Sequence, residues 1–177
     1  MVPADPIIPS SFFERPVLKV CPELIGHFLV IQTDKGELRH EITEIEAYDG
    51  PKDLACHAAK GRTARTEVLY GPAGCWYVYL CYGVHWLLNV VSGPVHYPAA
   101  ILIRGIGAWG GPGILTRELG IDKRFNTLPA NPDTGLWFEF NYERLKDYPF
   151  CTGPRIGVDY AGEWAAKPYR YSKRSEQ

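Results

Sequence analysis

The chain is short of several features that would settle its class at once. Its five cysteines, Cys21, Cys56, Cys75, Cys81 and Cys151, are odd in number and spaced like neither a disulfide framework nor paired zinc knuckles. Reduced thiols, no metal and no cofactor are expected. Neither charge is in excess: nineteen basic against twenty acidic side chains leave a net charge of −1, which argues against a protein held to nucleic acid by overall charge, although not against a local basic face. Long apolar runs are missing too. HFLVIQ and AAILI fall far short of the roughly 18 residues of a membrane span, and MVPADPIIPSSFFERP lacks the basic start and apolar centre of a secretion signal. The expectation is a soluble, intracellular protein without membrane contact, in a bacterial cytoplasm or a eukaryotic nucleus. With no internal repeat or low-complexity linker in 177 residues, a single domain over 1–177 is expected, with 1–9 and 172–177 as loose tails.

What the chain does have is short apolar segments punctuated by fifteen prolines and eighteen glycines. HFLVIQT and ELRHEITEIEAY, joined through Asp34-Lys35-Gly36, read as a hairpin. The period of two puts Ile42, Glu44, Glu46 and Tyr48 on one face of the second strand, and Thr43, Ile45 and Ala47 on the other. A short helix is predicted across PKDLACHAAK, with Gly61 past its end. WYVYLCY, WLLNVVS and AAILIRGI read as three more strands and GPGILTRELGI as a helix. Residues 126–154 read as irregular structure around one strand at LWFEF. The fold class is α+β, a curved, mostly antiparallel sheet with short peripheral helices.

The segment CWYVYLCYGVHW holds more polar-edged rings than an ordinary buried strand favours. Tyr77 and Tyr79 share one face and Val78 and Leu80 the other. Tyr82 either joins the Val78 face or stands at the tip before Gly83. Such a row of rings beside a histidine and a glutamate suits a flat slot for a planar heterocycle, against the plainer reading of core tyrosines with satisfied hydroxyls. Glu46 ends a strand among apolar neighbours, where partial desolvation would suit it to general-base work; the alternative is a rim carboxylate in a salt bridge. Asn89, inside WLLNVV, either bridges backbone groups or faces a polar ligand. Arg104 either orients a water beside Glu46 or pairs with a surface acid. His57 beside Cys56 is a poor thiol–imidazole pair, because adjacent helical residues diverge. Two basic clusters, Lys60, Arg62 and Arg65 and then Lys167, Arg170, Lys173 and Arg174, are each read equally well as solvated charge.

The order of EITEIEAYDGPKDLACHA, YVYLCYGVHWLLNVV, AAILIRGI, GPGILTRELGI and PRIGVDYAGEWAAKPYRY, spanning about residue 10 to 171, resembles the alkyladenine (3-methyladenine, methylpurine) DNA glycosylases of the mammalian type. The resemblance implies a monofunctional enzyme that flips alkylated or deaminated purines (3-methyladenine, 7-methylguanine, hypoxanthine, ethenoadenine) out of double-stranded DNA. It would hydrolyse the N-glycosidic bond and leave an abasic site. On the same ground Glu46 would activate the water, Arg104 and the Ile156 backbone carbonyl would hold it, and the purine would stack between Tyr48 and Tyr79 with His57 alongside. Tyr82 would fill the gap in the duplex, and Asn89 would stand at the pocket floor against the amine of guanine.

Two positions stand apart: Thr66, where the family commonly has asparagine, and His85, which could touch the DNA backbone or be structural. A monomer is expected. Two other functions stay open, a non-catalytic reader of damaged bases and a small-molecule nucleoside hydrolase that would leave Tyr82 idle.

Overall fold

The computed structural model describes residues 5–107, 109–144 and 148–174; the outer parts of the two expected tails, 1–4 and 175–177, lie outside the described residues. In chain order the elements are α1 (Val17–Leu24), β1 (Phe28–Thr33), β2 (Gly36–Asp49), β3 (Trp76–Cys81), β4 (His85–Ser92), β5 (Ala99–Ile106) and β6 (Trp109–Gly110), followed by α2 (Pro112–Leu119), β7 (Leu136–Glu139), β8 (Phe150–Gly153) and β9 (Arg170–Lys173). All pairings are antiparallel. The order is β3-β4-β5-β2-β1-β7, with β6 on β5, and with β9 beside β2 and carrying β8.

The hairpin forms as its turn residues require: Thr33 pairs with Gly36, whose φ of 111° suits a residue without Cβ. β2 then serves three neighbours. Its first part pairs with β1, and its second part lies between β5 and β9. The register slips between Ile42 and Ile45, a bulge that re-aims the side chains after it. Ile42 is therefore buried in the core with Ile45 and Ala47 rather than sharing a face with Glu44 and Glu46, as strict alternation predicted.

That core fills one face of the sheet with Val78, Leu88, Val90, Ile101 and Ile103. Helix α1, not foreseen in the sequence, closes it. Val17, Val20, Cys21 and Leu24 are all buried, the i, i+3, i+4, i+7 stripe of an amphipathic helix, and each such apolar side chain contributes about 1.5–3 kcal/mol. The expected α2 caps the sheet over β4 and β5 and stops at Gly120 in the left-handed region. β8 and β9 form a second unforeseen hairpin-like pair. Of the inner tail residues, Ile8 is buried, and Ser172 and Lys173 belong to β9. Among the described residues no helix is long and apolar enough to cross a membrane.

On the other face, Tyr77, Val91 and Ala100 pack with Cys56, Ala58 and Leu69, and Tyr48 and Tyr79 lie against them. Here the predicted helix over 51–60 is instead a string of turns ending in a 3-10 helix at His57–Lys60. The reason is Asp53. Its carboxylate accepts from the backbone of Asp49, at the end of β2, and of Ala55, and the Ala55 N–H is the one that an α-helix would have turned to the Pro51 carbonyl. The same carboxylate meets Arg155 at 2.5 Å, both side chains being fully buried. Breaking such a pair strands a charge away from water. Asp53→Ala should therefore lower the unfolding free energy by about 3–5 kcal/mol in denaturant titrations, and an apolar double replacement of Asp53 and Arg155 should recover most of the loss.

Candidate active site

Glu46 lies where β2 runs between β5 and β9, opposite Leu102 and Arg170, and is 0% exposed. A buried carboxylate needs partners, and it has three. The Tyr48 hydroxyl, two residues along the same face, donates to Oε2 at 2.7 Å. The backbone N–H of Ile156 donates to Oε1 at 2.7 Å. Arg104 Nε stands 3.6 Å from Oε1 and 3.4 Å from Glu44 Oε1. Glu44 also holds Arg170 at 3.1 Å, so two carboxylates and two guanidiniums alternate along the edge of the site. Glu46 is thus no rim carboxylate.

An open cleft of about 590 Å³ is lined by Tyr48, His57, Tyr79, Arg104, Ile156 and Tyr82, among others. Behind it, a recess of about 20 Å³ is walled by Tyr48, His57, Tyr77, Tyr79 and Asn89. The recess has room for a single water, so any larger guest must use the open cleft. The strand period holds for Tyr77 and Tyr79, which turn to this side with ring centres 5.1 Å apart, and for Val78, which faces the core; Leu80, expected with Val78, borders the cleft near the end of the strand. Tyr79 also meets the His57 ring edge-on at 4.6 Å. Tyr48 is backed by the Arg155 guanidinium, 4.8 Å from its ring centre. Burial, reinforced by the Glu46 charge, pushes the Tyr48 phenol far up, so it stays a donor toward Glu46.

Asn89 takes the bridging role. Its Nδ2 donates to the Tyr77 carbonyl at 3.1 Å, and its residue lines the recess. His57 is separate from Cys56: its Nδ1 shares a 2.8 Å hydrogen bond with the Tyr77 hydroxyl, while Cys56 Sγ points to the Pro98 carbonyl, and burial pushes that thiol up to about 11. Among the described residues no three His, Cys, Asp or Glu side chains gather closely enough to hold a metal.

Tyr82 stands at the tip between β3 and β4, 93% exposed, with φ of 51°. A bulky residue in the left-handed region costs about 1–3 kcal/mol, a strain that recurs at functional sites. His85 packs its ring on Gly113 at the start of α2, where an added Cβ would come within 2.8 Å of it. Thr66 is buried, its hydroxyl bonded to Thr63 N and Gly61 O at 2.8 and 3.0 Å.

The chain matches the family described as Methylpurine-DNA glycosylase (MPG) over residues 11–109 and 107–177. It belongs to the methylpurine-DNA glycosylase family. Similar proteins, provisionally named 3-methyladenine DNA glycosylases, occur in Myxococcus xanthus, at 41% identity over 96% of this chain and 91% of the relative, and in Methanocella arvoryzae, at 40% over 96% and 94%. Another, from Wolbachia pipientis wMel and of the same provisional name, is 43% identical over 94% of both chains. As a methylpurine-DNA glycosylase the chain is a monofunctional hydrolase of N-glycosyl bonds that acts on DNA in base excision repair.

Three site features of this glycosylase were not read from the sequence. Arg155 and Asp53 sit in unremarkable loops, and the Ile156 N–H is a backbone group with no signature of its own. The family resemblance marked only their neighbourhoods, through the EITEIEAYDGPKDLACHA segment for Asp53 and the PRIGV segment for Arg155 and Ile156.

Burial lowers the His57 imidazole from its usual 6.5 to about 4, helped by the charges of Arg65 and Lys60. Burial, with Arg144 helping and Glu23 opposing, does the same to His27. Between pH 4 and 6.5 each ring is then neutral when folded and protonated when unfolded, so acid favours the unfolded chain. Stability should fall as pH drops from 6.5 toward 4. Urea midpoints at pH 7 and pH 5 measure this, and His57→Gln or His27→Gln should each flatten the slope.

Proposed function

We propose that this glycosylase extrudes alkylated or deaminated purines from duplex DNA and cuts the N-glycosidic bond with a water activated by Glu46. The observation that carries the reading is the Glu46 carboxylate, fully buried yet held at both oxygens by Tyr48 and Ile156, two residues that line a cleft bordered by aromatic rings. In the step, the water oxygen bonds to C1′, a water proton passes to Glu46, and the C1′–N bond breaks with its electron pair going to the purine. A purine methylated at N3 or N7 carries a positive charge before the cut and leaves as a neutral base without an acid, whereas a neutral lesion such as hypoxanthine takes up a proton from solvent as it leaves. Arg104 and the Ile156 segment orient the water, whereas Tyr48, Tyr79 and His57 border the stacked purine and Asn89 lies deeper. Tyr82, exposed and strained at its hairpin tip, suits the wedge that keeps the duplex open, since unstacking a base costs a few kcal/mol that an inserted ring offsets. The protein is taken to act as a monomer, with 3-methyladenine and 7-methylguanine among its substrates.

Oligonucleotides carrying single lesions, treated with alkali to reveal abasic sites, test the reading. Glu46→Gln should still bind lesion duplexes while base release falls at least 10²- to 10⁴-fold, the range of a lost general base. Native protein that releases no modified base from any of them would leave only a reader. Tyr82→Ala should weaken duplex binding by about 1–3 kcal/mol, the worth of one stacked ring. Unchanged affinity and rate on duplex DNA would instead favour a hydrolase of free nucleosides.

A further inference from the structure

We propose that Arg65 is a specificity-determining residue, a cation held against the ring of Tyr79 that lowers the preference of the cleft for positively charged purines relative to neutral ones. The inference rests on the function proposed above.

Its ground is a contrast among neighbouring cations. Arg62 is tied to Glu67 through both arms, at 2.5 and 2.7 Å, Arg170 to Glu44 and Lys173 to Glu41. Arg65 has no carboxylate partner among the described residues. Its guanidinium instead lies 4.8 Å from the centre of the Tyr79 ring, and the residue lines the cleft beside Tyr48 and His57. The placement is held from behind. The next residue, Thr66, is buried and clamps the turn from Gly61 to Thr66 through its hydroxyl, so Arg65 leaves this turn in a fixed direction.

Two consequences follow for a guest in the cleft. A ring that already carries a cation on one face offers less electrostatic attraction to a second cation. In addition, an unpaired positive charge beside a half-enclosed space repels a like charge there, because the solvent screens it incompletely. The same charge adds to burial, the larger cause, in disfavouring protonation of His57. A purine methylated at N7 meets the same field, while hypoxanthine, which is neutral, does not. Glu46 pulls the other way from the sugar side. Arg65 therefore offsets part of an attraction to charged bases that Glu46 and the rings create, and the cleft is left open to lesions that carry no charge.

The test uses the full chain and duplexes identical except for one lesion, 7-methylguanine or hypoxanthine, with kcat/KM for base release compared in native protein, Arg65→Gln and Arg65→Lys. A lesion released too slowly to time is scored by competition of its duplex against 7-methylguanine release. Arg65→Gln should raise the ratio of 7-methylguanine to hypoxanthine roughly three- to tenfold, as removal of one partly screened like charge does, and Arg65→Lys should leave the ratio near native. An unchanged or reduced ratio in Arg65→Gln overturns the inference. Equal loss on both lesions, with a shallower dependence on salt, would make Arg65 a phosphate contact instead. If native protein releases neither base and binds both duplexes no better than undamaged DNA, the proposed function fails before this inference is reached. Arg65 is exposed, so matched thermal unfolding of the three proteins confirms that the ratio reports the site and not the fold.

Discussion

The constraint on which the rest of the structure turns is a carboxylate taken out of water. A charge with no solvent access is tolerable only where hydrogen-bond donors and a counter-charge replace the lost hydration. Glu46 draws one donor from its own strand in Tyr48, one from a backbone 110 positions away in Ile156, and charge compensation from Arg104 across the β2–β5 pair. Each of these obligations recruits a different part of the chain. The second explains why the loop after β8 must lie against the end of β2, and that loop is pinned there by the buried Arg155–Asp53 pair, which also takes up the Ala47 carbonyl.

Seen this way, the aromatic wall and the acid are one assembly rather than two. Tyr48 offers its ring to the cleft and its hydroxyl to Glu46, so whatever orders the ring also orders the carboxylate. Arg155 lies behind the ring and donates to β2, coupling the same tyrosine to the core. Preorganisation of this sort places the cost of desolvating Glu46 in the folding reaction, where a large apolar core can offset it. That core is on the opposite face of the sheet, under α1.

The electrostatic character of the site also differs from that of the whole chain. The net charge is near zero, and three of the seven cations of the two basic clusters are paired with carboxylates, Arg62 with Glu67, Arg170 with Glu44 and Lys173 with Glu41. Glu44, which the period of two places on the same strand face as Glu46, proves to be the shared counter-ion of Arg104 and Arg170. Overall charge therefore supplies little attraction to DNA.

The sequence by itself determined the local elements: the β1–β2 hairpin from its turn residues, the three strands from 76 to 106, the helix α2, and the facing of Tyr77 and Tyr79 toward one side. These depend on periods of two or 3.6 and on backbone preferences that act within a few residues. The family motifs added which side chains to watch. Only the tertiary structure decided that a bulge at Glu44 turns Ile42 into the core, and that Asp53 unmakes the helix expected over 51–60. It alone brought Arg155 and the Ile156 amide to Glu46. These contacts join segments about a hundred residues apart, and they exist only once strand register and packing bring the segments together, which no short-range pattern encodes.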